Sequence, residues 1–200
     1  MLKKLIALFF YKVISSGVYR NLKEQTDTDD IKRSFRSIGA NGLLPDQLIL
    51  INSKYITIGK NFSALYNLRL EAWDNYAGDT FNPSLTIGDN VSVGSDIHIG
   101  CVDKINIGNG VLMGSRIYIS DHSHGEVSAE ALNTPPVKRP LVSKGPVIIE
   151  DDVWVGEGVC ILPGVHIGRG AIIGANTVVT KNVPARTVFA GIPGKVIKAF

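Results

Sequence analysis

The chain has 200 residues, 44% hydrophobic and 8% aromatic, enough for one buried core with a small appendage. A net charge of +3, with no basic cluster interleaved with aromatics, excludes a nucleic-acid-binding surface. Cys101 and Cys160 lie far apart without CxxC spacing, so structural thiols in a reducing, cytoplasmic compartment are expected.

Residues 1–20, MLKKLIALFFYKVISSGVYR, open with lysines and a short apolar run. No small-residue cleavage site follows, which argues against a signal peptide. Lys12 interrupts the run too early for a transmembrane span. Leu2, Leu5, Ile6, Phe9 and Val13, flanked by Lys3, Lys4 and Lys12, predict an amphipathic helix. Such a helix packs on the body of the protein, on another subunit, or on a membrane surface with its lysines at the headgroups. Residues 21–47 are polar and mixed, with turn signals at 39–42 and Pro45. They read as an irregular connection, so that 1–47 precede a main domain over 48–200.

From Leu85 the chain divides into units of six: LTIGDN, VSVGSD, IHIGCV, then INIGNG, VLMGSR, IYISDH. After an interruption it resumes as VIIEDD, VWVGEG, VCILPG, VHIGRG, AIIGAN and TVVTKN. An earlier ITIGKN at 56–61 extends the array toward the N-terminus. The third position is aliphatic or Met in every unit and the first nearly always aliphatic, Thr177 being the polar exception. Positions one and three of a strand point to one side and position two to the other, so each unit is a very short strand with one buried face. Gly at position four, with Asn, Asp or Gly at position six, supplies residues that tolerate positive φ in the turn. The spacing of three and four that a helix needs is missing. Strands this short bury a core only when stacked, and the expected fold is an all-β solenoid.

The stretches IYISDHSHG, GPVIIEDDVWVGEGVCILPGVHIGRGAIIGANTVVTKNVP and AGIPGKVIKAF resemble the hexapeptide-repeat acyltransferases, in particular the sugar and polysaccharide O-acetyltransferases related to the galactoside and maltose enzymes. The resemblance covers more than half of the chain. It implies a left-handed parallel β-helix with three units per triangular coil, a homotrimer, and acetyl-CoA as co-substrate with no metal required. The acceptor it implies is a sugar hydroxyl of a bacterial surface polysaccharide or its precursor.

Acetyl transfer from a thioester to a hydroxyl needs a base for the hydroxyl proton and a donor for the developing oxyanion. A neutral imidazole suits the first role. His122 and His124 are the candidates, with Asp121 or a backbone carbonyl fixing the tautomer. Matching the family's catalytic histidine by count, seven residues beyond Ile117, selects His124 and leaves His122 to bind the acceptor or orient its partner. The interruption over 123–145 is long enough for a functional loop. Its Lys138 and Arg139 either meet an anionic acceptor or are solvated.

Trp154 holds the second position of its unit and should face outward, toward a ligand or a subunit. The resemblance places it beside the active site. Gly156, Gly174 and Ala175 would let a pantetheine arm approach the coil corners. Thr180, Lys181, Lys195 and Lys198 align with coenzyme-contacting positions, although lysine where the family often has arginine gives point-charge rather than bidentate contact. Without the resemblance these lysines are an ordinary solvated face. On the acceptor side, 71–84 breaks the repeat with aromatic and polar groups, so Trp73, Tyr76, Asp79 and Asn82 are candidates, joined by outward-facing His98. An irregular coil filling the solenoid end explains the same stretch.

Three rival readings accompany this one. The first is a zinc enzyme like the γ-type carbonic anhydrases, with His98, His122 and His124 as ligands. The second is a non-catalytic solenoid, and the third is N-acetylation of an amino sugar nucleotide or a drug.

Overall fold

A computed structural model describes residues 30–200. The amphipathic helix expected over 1–20 lies outside the described residues. No helix among the described residues is long and apolar enough to cross a membrane.

The short strands stack in parallel as a three-faced prism. The first face takes Ser37–Ile38, Ile56–Ile58, Ser84–Ile87, Lys104–Ile107, Val147–Ile149 and His166–Ile167 in that order. Two longer strands, Ser63–Ala72 and Ser92–Cys101, run through a corner and join the other two faces. Their leading ends belong to the second face, which continues through Leu112–Met113, Trp154–Val155, Ile172–Ile173 and Thr187–Gly191. Their trailing halves belong to the third face, between Leu48–Ile51 and the strands Tyr118–Ser120, Cys160–Ile161 and Val178–Val179.

Burial follows the repeat. First-position residues such as Leu85, Val111 and Val153 and third-position residues such as Ile87, Met113 and Val155 are all buried in one core. In register, Ile38, Ile58, Ile87, Ile107, Ile149 and Ile167 form one aliphatic column along the first face. A column of like side chains buries each residue against its neighbour in the next coil, which no single coil manages alone.

The turns divide their work differently from the expectation. Position six carries the left-handed conformation: φ is 58° at Asn90, 57° at Arg116, 61° at Asp152 and 56° at Asn176. Position-four glycine is required by crowding instead. A Cβ on Gly156 would lie 2.7 Å from the amide nitrogen of Ala175 and 2.8 Å from the carbonyl oxygen of Ile173, both backbone atoms of the next coil.

The parallel pairing also begins earlier than the expected boundary at 48. Ser37-Ile38-Gly39-Ala40-Asn41 is a first coil in miniature. Asn41, at φ 61°, donates to Asn61 (3.0 Å), which donates to Asn90 (2.8 Å), a side-chain ladder up one corner. The parallel pairing therefore reaches back to Ser37, inside the expected connection. One isolated unit has no neighbour in sequence to make its period visible.

Two excursions leave the prism. Residues 73–83 form a small antiparallel hairpin, Asn75–Tyr76 against Asp79–Thr80. The interruption after Asp121 is a ribbon whose neck pairs His122–His124 with Leu141–Ser143 antiparallel. The hydroxyl of Tyr76 donates to the carbonyl of Val137 at 3.0 Å, so the excursions meet. At the far end Thr187–Gly191 folds back against Gly194–Ala199 and closes the stack.

Gly156→Ala should lower stability by about 1–3 kcal/mol, read as a shift in the urea midpoint, because backbone must move to admit the methyl group. An unchanged midpoint would show that the coils are not held this closely.

Candidate active site

The third face ends its fourth coil at Tyr118–Ser120, and the next residue, Asp121, turns inward at the corner with no exposed surface. Its carboxylate accepts the amide N–H groups of Val102 (2.9 and 3.2 Å) and Asp103 (2.9 Å), in the corner of the preceding coil. One oxygen lies 3.0 Å from Nδ1 of His122. Burial alone would push this carboxyl upward. The hydrogen bonds from His122, Val102 and Asp103 outweigh it and hold the group below its ordinary range. An ionised carboxylate only accepts, so His122 Nδ1 carries the hydrogen, and in the neutral form of the ring Nε2 presents a lone pair. Burial and the Asp121 charge push the neighbouring Cys101 thiol far up, and burial also raises Cys160, so both are unreactive thiols.

His122 stands between two recesses. The first is floored by Gly100 and walled by aromatic rings from both excursions and the third face. Trp73 and Tyr76 meet edge to face at 6.2 Å between centroids, Tyr76 and His124 at 5.2 Å, and His98 and Tyr118 at 5.2 Å. Deep in this recess Glu71, 4% exposed, accepts from Arg69 Nε, from Trp73 Nε1 at 3.2 Å and from His98 Nε2 at 3.3 Å. Burial would raise the Glu71 carboxyl, but these donors outweigh it and hold it low. Burial first, and the Arg69 charge second, lower His98, which is therefore neutral near pH 7. The second recess lies on the other side of Tyr118 and His122 and runs past Ser123, Val127, Lys144, Leu162 and Thr180. Its apolar walls with one lysine suit a thin thioester-bearing arm.

The sequence candidates separate on this geometry. Residue counting selects His124, yet the carboxylate belongs to His122. His124 is exposed and rests on the Tyr76 ring. Tyr76 and His98 do line the first recess, whereas Asp79 and Asn82 are exposed outside it. Trp154 faces outward as expected, 52% exposed, but on the second face, stacked between Leu112 and Ile172 and away from His122 within one chain. Gly156 owes its size to the next coil, and so does Gly174, whose Cβ would lie 2.9 Å from that of Ala190. Ala175 and Lys181 are exposed at corners, and Thr180 lines the second recess. Lys195 and Lys198 are exposed on the closing hairpin, Lys198 lying 4.4 Å over the Phe200 ring. Arg139 donates to the carbonyl of Thr134 at 2.7 Å and braces its own loop, while Lys138 is exposed. Among the described residues no three His, Cys, Asp or Glu side chains converge to hold a metal ion.

Arg69 and Glu71 escaped the sequence reading. Their signal was the alternation Leu68, Arg69, Leu70, Glu71, Ala72, a period of two that puts both charges on the outward side of one strand. In register Arg69 lies beside His98 and Glu71 beside Gly100.

The profile of the family described as bacterial transferase hexapeptide (six repeats) matches residues 146–181. WbbJ of Escherichia coli K12, assigned as an O-acetyl transferase of lipopolysaccharide biosynthesis, is 39% identical over 153 residues, 74% of each chain. A maltose O-acetyltransferase from Clostridium difficile 630 is similar in structure, with a TM-score of 0.54 at 26% identity, over 99% of this chain and 83% of that one. A variant of AntD, an N-acyltransferase from Bacillus cereus in complex with dTDP-4-amino-4,6-dideoxyglucose and coenzyme A, shares the fold with a TM-score of 0.66 at 22% identity, over 86% and 88% of the two chains.

Because its folded-state pKa is depressed, Asp121 contributes stability above the unfolded value of about 3.9, and that contribution is lost as pH falls through the folded value. Asp121→Asn should cost about 1.5–3 kcal/mol at pH 7, with the gap to wild type closing below about pH 4. Urea titrations across pH measure it, and a gap independent of pH would mean the carboxylate is not held ionised.

Proposed function

The chain belongs to the hexapeptide-repeat acyltransferases, shares their left-handed β-helix and is an acetyl-CoA-dependent acetyltransferase, and from that premise we propose that it acetylates a sugar hydroxyl with His122 as the general base. The acceptor is a sugar of a bacterial surface polysaccharide or its precursor. The observation that carries the reading is the Asp121–His122 pair standing between an aromatic, polar recess and a mainly apolar one.

In this reading the acceptor lies in the first recess and the thioester arm in the second. His122 Nε2 takes the hydroxyl proton as the oxygen attacks the thioester carbonyl carbon. The carbon–sulfur bond then breaks, and the imidazolium returns the proton to the leaving thiolate. Asp121 stabilises the imidazolium and holds the tautomer, so both substrates react directly without a covalent enzyme intermediate. Similarity to WbbJ and to the maltose enzyme supports a hydroxyl of a sugar as the acceptor.

The assembly proposed is a homotrimer. An outward apolar stripe on the second face supports it, with Leu112 51% and Trp154 52% exposed beside Ile172. A neighbouring copy covers this stripe. The cytoplasmic face of the membrane, contacted through residues 1–20, is the proposed location.

The purified full chain, acetyl-CoA and a panel of sugars, nucleotide sugars and polysaccharide fragments test the reading, with free thiol as the readout and alkali lability of the product separating esters from amides. Ester products are expected, and amide products alone would redirect the assignment to amino sugars. His122→Ala should lower kcat about 100-fold or more with acetyl-CoA binding retained, and His124→Ala less than about tenfold. The reverse order would return the base to His124.

A further inference from the structure

The mechanism above gives Glu71 no task, although it is a buried, ionised carboxylate at the edge of the reacting space. A carboxylate offers about four acceptor sites. Arg69, Trp73 and His98 fill three of them, so about one is left on the recess that Glu71 lines. The carboxylate also dictates the tautomer of its neighbour. Because Glu71 only accepts, His98 Nε2 must carry the hydrogen, whereas His122 carries its own on Nδ1 toward Asp121.

The two imidazoles converge above Gly100. A Cβ there would lie 3.8 Å from His98 Nε2 and 3.9 Å from His122 Nε2, and 3.3 Å from His122 Cε1. Glycine keeps this space open for reacting atoms. The recess therefore presents, side by side, a lone pair on neutral His122 and the remaining carboxylate lone pair on Glu71, the single His98 N–H being donated to Glu71 itself. One hydroxyl uses the first of these. A second hydroxyl on the adjacent carbon matches the second, donating to the free site of Glu71. Buried polar groups of this kind discriminate strongly, because an acceptor lacking the second hydroxyl leaves them unpaired.

We propose that Glu71 is a specificity-determining residue, and that its carboxylate, held in place by His98, binds the hydroxyl adjacent to the one acetylated, so that the acceptor is a vicinal diol. The proposal rests on the reading of His122 as the base of an O-acetyltransferase. A strut role for Glu71, pairing with Arg69 alone, would leave acceptor choice indifferent to that second hydroxyl.

The test uses the full chain with the methyl pyranosides of glucose, galactose and mannose and their monodeoxy derivatives, the acetylated position being located by NMR of the product. In wild type, removal of the adjacent hydroxyl should lower kcat/KM at least about 100-fold. In Glu71→Gln the same removal should cost less than about tenfold, with the loss falling on the KM of the pyranoside and not on that of acetyl-CoA. No penalty in wild type, or an equal penalty in both forms, overturns the proposal while leaving O-acetylation intact. Acetylation of amino sugars alone overturns both readings together. Nitrogen-15 shifts of the His98 ring give a readout that needs no turnover: the Nε2–H tautomer in wild type and a mixture in Glu71→Gln. An Nδ1–H tautomer in wild type would sink the donor pattern on which the diol depends.

Discussion

Adjacent coils lie at the spacing of hydrogen-bonded strands, about 4.8 Å, and every other feature accommodates that distance. It forces glycine at Gly156, where backbone of the next coil fills the place of a side chain. It also converts sequence period into spatial neighbourhood. Arg69, His98, Tyr118 and Cys160 come from four successive coils, yet exact register makes them a single outward row on the third face. A site assembled this way needs no long-range design beyond keeping each coil in phase.

The prism and its core were legible because the repeat states them twelve times over from Leu85 onward, with inward positions that hold in every unit. Isolated features were less legible. Ser37–Ile38 starts the same pattern, but one unit without a flanking copy has no period. The D-H-S-H stretch marked the corner where the ribbon leaves the prism. Which histidine meets the carboxylate there depends on the inward turn of Asp121, set by amide groups of Val102 and Asp103 that belong to a different coil. Counting along the chain cannot register that contact. Trp154 was read correctly as outward, but outward on a three-faced prism has three meanings. Glu71 was hidden for the opposite reason: its alternation with Arg69 was plain, but it fell at the edge of a stretch that reads as a break in the repeat.

Two buried carboxylates give the site its chemical asymmetry. Asp121 and Glu71 each face one imidazole, and each fixes a tautomer by accepting only. They contact different nitrogens, Nδ1 of His122 and Nε2 of His98, so the same electrostatic rule leaves the neutral His122 ring with a lone pair toward the recess, while the hydrogen on His98 Nε2 is spent on Glu71. Two like residues acquire unlike roles from the geometry of their partners alone.

The two excursions give the molecule a division between what is copied and what is free to differ. Each coil answers only to the coils above and below it. The hairpin over 73–83 and the ribbon necked by His122–His124 and Leu141–Ser143 leave the stack at corners and return to it in register. Their length and composition are thus uncoupled from the core, while the Asp121–His122 pair stays anchored to it. The walls these excursions add to the recess can be rewritten without disturbing the pair beneath, which makes the prism a chassis and its excursions interchangeable parts.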